Sequence, residues 1–112
     1  MDEMTAHLAA ATAAARAALP VTEVRGLSDD DLLSVMAEVE ALGRTVDALR
    51  VTIAAEAAER SRPSLGGERL SARRGCRTPH ELIARVTQVT ERTAVHRSKL
   101  GAALRHPNGL TG

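Results

Sequence analysis

One stretch, GLSDDDLLSVMAEVEALGRTVDALRVTIAAEAAER, constrains the fold more than any other part of the chain. Its larger apolar residues recur at spacings of four and three, at Val35, Val39, Leu42, Val46, Leu49 and Ile53. This is the a/d pattern of a coiled-coil seam. Ser28 is expected to cap the helix, and Asp29, Asp30 and Asp31 follow in the first turn, where the helix dipole favours anions. The stretch predicts a helix over residues 28–61, about 50 Å long at roughly 1.5 Å per residue.

The seam has two possible uses. β-Branched residues at the a positions and leucines at the d positions favour a two-stranded parallel coiled coil. The predicted dimerisation residues are then Val39, Leu42, Val46, Leu49 and Ile53. A seam of this length equally fits a long helix packed inside its own bundle. Gly43 lies in the middle and costs about 1 kcal/mol relative to alanine, so both alternatives stay open.

The charge of the chain is divided between its two halves. Residues 1–59 hold eleven acidic residues and four arginines, a net charge of −7. Residues 60–112 hold three glutamates, ten arginines and one lysine, a net charge of +8. Such asymmetry indicates either an end that faces nucleic acid or two halves that pair with each other.

The chain contains no Phe, Tyr or Trp. Its core must therefore use small aliphatic side chains, which bury less area than aromatic ones. A thin core in 112 residues is marginal, so we expect help from oligomerisation or from a further domain. The lack of aromatic side chains also removes the stacking platforms of single-strand binders, which argues against an RNA-recognition module.

The segments on either side of the long helix have distinct compositions. Residues 1–20 are rich in alanine and predict a weak helix that ends at Pro20, either docked or frayed. Residues 62–77 are rich in arginine and glycine, and Pro63 and the Gly66–Gly67 pair predict a connection without a long helix.

Residues 78–105 predict a helical hairpin. Thr78 can cap its first helix, Pro79 suits the first helical position, and Glu81 completes a capping box. The letters TQV make the turn, and Thr90 is a second cap candidate. The ending RHPNGLTG predicts an exit from the last helix. We therefore expect one all-α domain over residues 1–112, with a long amphipathic helix, a helix-turn-helix-like hairpin and a weaker N-terminal helix.

The hairpin permits two interpretations. In a DNA-binding helix-turn-helix, early residues of the second helix reach base edges, and Arg92 is placed for that role, with His96 a weaker candidate. Other basic side chains could contact phosphates. The predicted nucleic-acid-binding residues are Arg69, Arg73, Arg74, Arg77, Arg92, Arg97 and Lys99. Alternatively, the hairpin only closes a bundle and its arginines pair with acids of the long helix. The glycine usual in a tight interhelical turn is absent, and Gln88 stands near its place.

The sequence contains no pattern typical of a catalytic or metal site. The histidines, at positions 7, 80, 96 and 106, have no metal-ligand spacing with each other or with Cys76. No base is placed beside Cys76 by sequence, so this cysteine is interpreted as incidental. We therefore expect no metal, no cofactor, no small-molecule substrate and no enzymatic activity.

The single cysteine cannot form an internal disulfide, which fits a reducing cytoplasm. Asp2 and Glu3 occupy the place of the basic region of a signal peptide, and Arg16 interrupts the apolar run that follows. No apolar run is long enough to cross a membrane. The expected location is the cytoplasm.

The long-helix stretch, followed by SARRGCRTPHELIARVTQVTERTAVHRSKLGAAL, resembles an actinobacterial domain of unknown function (family 222) over about residues 26–105. That domain is found N-terminal to HNH endonuclease domains. The resemblance implies a DNA-associated accessory domain without catalysis of its own. The letters TQVTE depart from the more usual Thr-Gly-aliphatic-Ser at the turn. The alternative function is a helical module for dimerisation or protein interaction, without nucleic-acid binding.

Overall fold

The computed structural model describes residues 2–105, and this part of the chain is helical without any strand. Its α-helices are α1 (Glu3–Ala18), α2 (Asp29–Glu59), α3 (Leu70–Arg73), α4 (Pro79–Thr87) and α5 (Glu91–Arg105). Single 3₁₀ segments occupy Val21–Gly26 and Pro63–Glu68. The predicted all-α class, with one long helix and a C-terminal hairpin, is confirmed. The predicted exit after the last helix, residues 106–112, lies outside the described residues.

The chain divides into two compact units, Met1–Ala41 and Leu42–Gly112, so that the division falls within the sequence of α2. The first unit contains α1, and every residue of α1 is exposed. The Asp2 carboxylate caps this helix by accepting hydrogen bonds from the Thr5 amide at 2.8 Å and the Thr5 hydroxyl at 2.9 Å. None of the described residues of this unit is buried. Capping and alanine propensity therefore account for α1 as a helix.

Helix α2 begins as its sequence predicts. The Ser28 hydroxyl accepts a hydrogen bond from the Asp31 amide at 3.1 Å, and the Ser28 carbonyl accepts from the Leu32 amide at 2.8 Å. The acidic first turn follows at the positive end of the helix dipole. The helix ends at Glu59, two residues before the predicted end.

The second unit holds the buried residues of the described chain. The core cluster joins Ala54 of α2, Ile83 of α4 and Ala94 of α5. Helix α5 contributes a buried face of small residues, at Ala94, Ser98 and Gly101. Because these side chains are small, the backbones of α2 and α5 approach closely, and the core is aliphatic as the composition requires.

The predicted connection, residues 62–77, is more ordered than its glycine and proline content indicates. The Leu70 amide donates to the Arg60 carbonyl at 2.8 Å, and the Ser71 amide donates to the buried Ser61 hydroxyl at 3.1 Å. The Cys76 amide donates to the Ser71 carbonyl at 2.8 Å, and Cys76 is only 4% exposed. The first two hydrogen bonds hold α3, which lies within this segment, against the end of α2, and the third holds Cys76 against α3. Local composition does not reveal these contacts.

The hairpin turn has a left-handed residue at its centre. Thr78 caps α4 by accepting from the Glu81 amide at 3.1 Å. Gln88 follows α4 with φ 60° and ψ 37°, and the Val89 amide donates to the Ala84 carbonyl at 3.3 Å, as in a Schellman motif. Thr90 then caps α5, accepting from the Thr93 amide at 3.1 Å. Gln88 therefore occupies the position where such turns usually have glycine.

Candidate nucleic-acid interface

Helix α5 has two chemically opposite faces. One face is the buried row of small residues that packs against the core. The other face carries exposed side chains at spacings of four and three, namely Arg92, His96 and Lys99. We call these three residues the basic stripe. Since each residue advances about 100° around a helix, the basic stripe points away from the core and into solvent.

The basic stripe is available for an external anion. From Arg92 to Lys99 it extends roughly 10 Å along α5 at 1.5 Å per residue. Within the part of the chain that the structure describes, none of its side chains forms an ion pair. The stripe lies on the second helix of the hairpin, which is the helix that enters the major groove in DNA-binding helix-turn-helix proteins.

Three arginines of the approach to the hairpin are oriented by local contacts. The Arg69 Nε donates to the Gly66 carbonyl at 2.7 Å, and the Arg73 Nε donates to the Glu68 carbonyl at 3.1 Å. Arg77 lies 3.9 Å from Glu81, with its side chain 94% exposed. Each Nε bond leaves the terminal nitrogens of Arg69 and Arg73 able to donate elsewhere. These arginines therefore keep donors for an external anion, as the basic stripe does.

The remaining two predicted arginines, Arg74 and Arg97, lie at a groove. This groove has a volume of about 530 Å³, and its apolar lining includes Ile53, Leu70, Leu82 and Val86. Four arginines also line it, at positions 50, 74, 85 and 97. We call it the arginine-rimmed groove. The structure therefore places Arg74 and Arg97 at this groove, whereas the sequence grouped them with Arg92 and Lys99.

Sequence reasoning missed Arg50 and Arg85 as members of a site. Arg50 pairs with Asp47 at 2.9 Å, and Arg85 pairs with Glu81 at 3.3 Å. Each pair is visible in the sequence as an i,i+3 or i,i+4 spacing, but the approach of α2 to α4 is not. In contrast, Arg74 and Arg97 form no ion pair among the described residues, so their charge remains uncompensated.

Part of the basic half does pair with the long helix. Glu56 of α2 accepts from Arg60 at 2.8 Å and from Arg105 of α5 at 2.6 Å. These two hydrogen bonds hold the pKa of the Glu56 carboxyl below its usual value, and the one from Arg60 has the larger effect. Arg62 pairs with Glu59 at 3.4 Å. The internal pairing expected as an alternative to DNA contact thus involves Arg60, Arg62 and Arg105, and it leaves the basic stripe unpaired.

The predicted dimerisation seam is open to solvent. Val39, Leu42, Leu49 and Ile53 are exposed, and Val46 is half-buried. Ile53 is also part of the arginine-rimmed groove. Dimerisation through these residues stays a prediction, with an apolar surface at the place it requires.

The described residues form no group of three or more side chains that could hold a metal ion. The thiol of Cys76 is buried. Across residues 2–105, no helix combines the length and the apolar character needed to cross a bilayer.

Comparison of the chain with protein-family models, with curated proteins and with solved structures finds no match.

Proposed function

We propose that this chain is a non-catalytic accessory domain that associates with double-stranded DNA in the bacterial cytoplasm. The observation that carries the proposal is the basic stripe, which is solvent-facing, unpaired among the described residues, and located on the second helix of a capped hairpin. The resemblance to the actinobacterial domain that precedes HNH endonuclease domains supports the same function. The nuclease chemistry would belong to a downstream domain of the parent protein.

The contact would be made mainly to phosphates. Arginine and lysine side chains that neutralise phosphates release condensed counterions, so the affinity falls as salt rises. Arg92 lies in the first turn of α5, where a helix in the major groove approaches base edges. Arg69, Arg73 and Arg77 supply further donors from the approach segment. Arg97 and Arg74 would contribute mainly through the net charge of this half.

Duplex binding measured by fluorescence anisotropy at increasing salt tests the proposal. The wild-type chain is expected to bind at low salt, with an affinity that falls steeply with salt. Replacing Arg92→Ala together with Lys99→Ala should reduce the slope of log K against log salt by about 2, since each lost phosphate contact removes roughly 0.9.

A matched control removes the same charge elsewhere. Arg16→Ala with Arg25→Ala changes two exposed basic residues of the first unit, and it is expected to leave the slope almost unchanged. No binding of duplex DNA at low salt would end the proposal. An equal loss in the control pair would show that only net charge matters, and the basic stripe would lose its role.

The second candidate function is a dimerisation module, which the open seam favours. Leu42, Leu49 and Ile53 expose apolar surface along one helix, and exposed apolar rows of this kind mark interaction surfaces. Sedimentation of the full chain over a concentration series tests it directly. A chain that remains monomeric at high micromolar concentration would exclude this candidate.

A further inference from the structure

The spacing of the apolar residues in the seam of α2 is symmetric: it is the same whether counted from the N-terminal or the C-terminal end. Its intervals are four, three, four, three and four residues, centred on Arg44. An antiparallel pair of α2 helices therefore matches apolar residues as completely as a parallel pair does. The antiparallel partners are Val35 with Ile53, Val39 with Leu49, and Leu42 with Val46. The spacing alone does not choose an orientation. The β-branched residues at the a positions favour a parallel pair, and the charged residues weigh against it.

The charges favour the antiparallel orientation. Along α2, residues 29–41 contain five acidic residues and no basic residue, a net charge of −5, and residues 42–59 contain three acidic residues and two arginines, a net charge of −1. A parallel pair of α2 helices would place the two strongly acidic segments side by side. An antiparallel pair places each of them beside the weakly charged segment of the other copy and near the four arginines that line its groove, which lowers the electrostatic energy.

The arginine-rimmed groove lies where the antiparallel partner helix would pass. Its lining takes Arg50, Ile53 and Ala57 from α2. When residue 35 of a second copy pairs with residue 53, the segment Asp29–Val39 of that copy runs past these groove residues. The beginning of one α2 would thus cover the groove formed near the end of the other.

The segment that would cover the groove carries acidic and apolar side chains, which complement the arginines and the apolar lining of the groove. Leu33 and Met36 are exposed in this chain. Met36 is fourteen residues from Arg50, so the two share one position of the heptad. Helices related by a two-fold axis perpendicular to both present the same flank to each other. Met36 of the second copy would therefore lie on the groove side. Asp29, seven residues earlier, has the same heptad position and would lie on that side too.

The groove supplies apolar surface and positive charge for this segment. Ile53 is 60% exposed and Val86 is 72% exposed, and covering them removes apolar surface from water. Arg74 and Arg97, which have no acidic partner within the described residues, would face the acidic first turn of the other α2. We propose that this chain forms an antiparallel homodimer in which the Asp29–Val39 segment of each copy occupies the arginine-rimmed groove of the other.

This inference rests on the dimerisation candidate and is independent of DNA association. Sedimentation equilibrium of the full chain gives the dimer dissociation constant for each variant. Val86→Glu places a carboxylate on the apolar lining and is expected to weaken the dimer by about tenfold or more. Val21→Glu is the matched control, because Val21 is 86% exposed and does not line the groove. It is expected to leave the dissociation constant within about twofold, as surface changes outside a contact usually do.

Disulfide cross-linking determines the orientation. A Val39→Cys chain and a Leu49→Cys chain, with tags of different size, are oxidised separately and then as a mixture. The antiparallel arrangement predicts a cross-link mainly in the mixture, because the two positions face each other and disulfides need Cα atoms within about 7 Å. A parallel dimer would cross-link each chain to itself. The wild-type chain controls for the buried Cys76.

Each outcome decides a separate part of the inference. A monomer at all concentrations overturns it together with the dimerisation candidate. A dimer in which Val39→Cys cross-links to itself overturns the antiparallel orientation and, with it, the seating of Asp29–Val39 in the groove, while the dimerisation candidate stands. An antiparallel dimer that Val86→Glu does not weaken removes the groove from the interface. Arg92→Ala with Lys99→Ala is expected to leave the dimer unchanged, so a failure of DNA binding does not affect the result.

Discussion

Gly101 of α5 lies directly against the backbone of Val51 on α2. A Cβ atom added to Gly101 would be 2.5 Å from the Val51 carbonyl oxygen and 2.7 Å from the Cβ of Ala55. The first of these atoms belongs to a helix backbone and cannot move without moving α2. A residue without a Cβ is therefore required where α5 crosses α2.

Gly101→Ala is expected to destabilise the chain by about 1–3 kcal/mol, the usual cost of overpacking a core, even though alanine favours a helix. Gly43→Ala is the matched control, since nothing lies within 4 Å of a Cβ at that position in α2. It should stabilise the chain by up to about 1 kcal/mol through helix propensity. Urea unfolding followed by circular dichroism measures both changes. A neutral Gly101→Ala would mean that α5 does not pack this closely on α2.

Two buried serines should respond in opposite directions to replacement by alanine. The Ser98 hydroxyl is buried and finds no hydrogen-bond partner among the described residues, so Ser98→Ala removes an unsatisfied polar group and improves helix propensity. It is expected to stabilise the chain by about 1 kcal/mol. The Ser61 hydroxyl accepts from the Ser71 amide, and Ser61→Ala should destabilise by about 1–3 kcal/mol because that buried amide loses its partner. The same urea titrations compare the two variants, and equal effects would contradict the assignment of these hydroxyls.

Local sequence patterns predicted the elements of the fold well, and long-range contacts account for what they missed. The helix predicted over residues 28–61 appears as Asp29–Glu59, because its caps and apolar spacing lie within the segment itself. The grouping of Arg97 with Lys99 depended on how α5 rotates against the core, which a hairpin pattern does not fix. The hydrogen bond from Arg105 to Glu56 joins residues 49 apart, and no local rule connects them. The groove is lined by residues of α2, α3, α4 and α5 and was therefore not visible in the sequence.

The left-handed conformation of Gln88 strains its backbone, so Gln88→Gly is expected to stabilise the chain. The left-handed region costs a side-chain-bearing residue roughly 1–2 kcal/mol. Part of this gain is offset by the greater freedom of glycine in the unfolded chain and by the loss of the hydrogen bond that the Gln88 side-chain Nε2 donates to the Arg85 carbonyl at 2.6 Å. We expect a net gain of about 0.5–1 kcal/mol.

Gln88→Ala separates these contributions. It loses the hydrogen bond to the Arg85 carbonyl and keeps the left-handed cost, so it should be less stable than the wild-type chain. The expected order of melting temperature is Gly, then Gln, then Ala at position 88. An alanine variant more stable than the glycine variant would show that the left-handed turn is not populated in solution.

The pairing of Glu56 with Arg60 and Arg105 should make stability depend on pH. The hydrogen bonds from these two arginines lower the pKa of Glu56 in the folded chain below its usual value of 4.5. The unfolded chain therefore binds more protons in this window, and stability rises with pH there. The contribution of Glu56 is complete above its unfolded pKa and is lost as the pH falls through the lower, folded pKa.

Glu56→Gln is therefore expected to lower the melting temperature at neutral pH, with a difference from wild type that shrinks under acidic conditions as the wild-type carboxylate becomes protonated. Thermal unfolding from neutral pH to well below 4.5 measures this difference. Glu40→Gln, at an exposed position of the same helix, controls for the change in net charge and should give a smaller difference throughout. A Glu56→Gln deficit that persists unchanged in acid would indicate that packing of the side chain, and not its charge, is responsible. Because both Arg60 and Arg105 pair with this carboxylate, the acid-dependent part of the deficit measures the combined contribution of the two ion pairs.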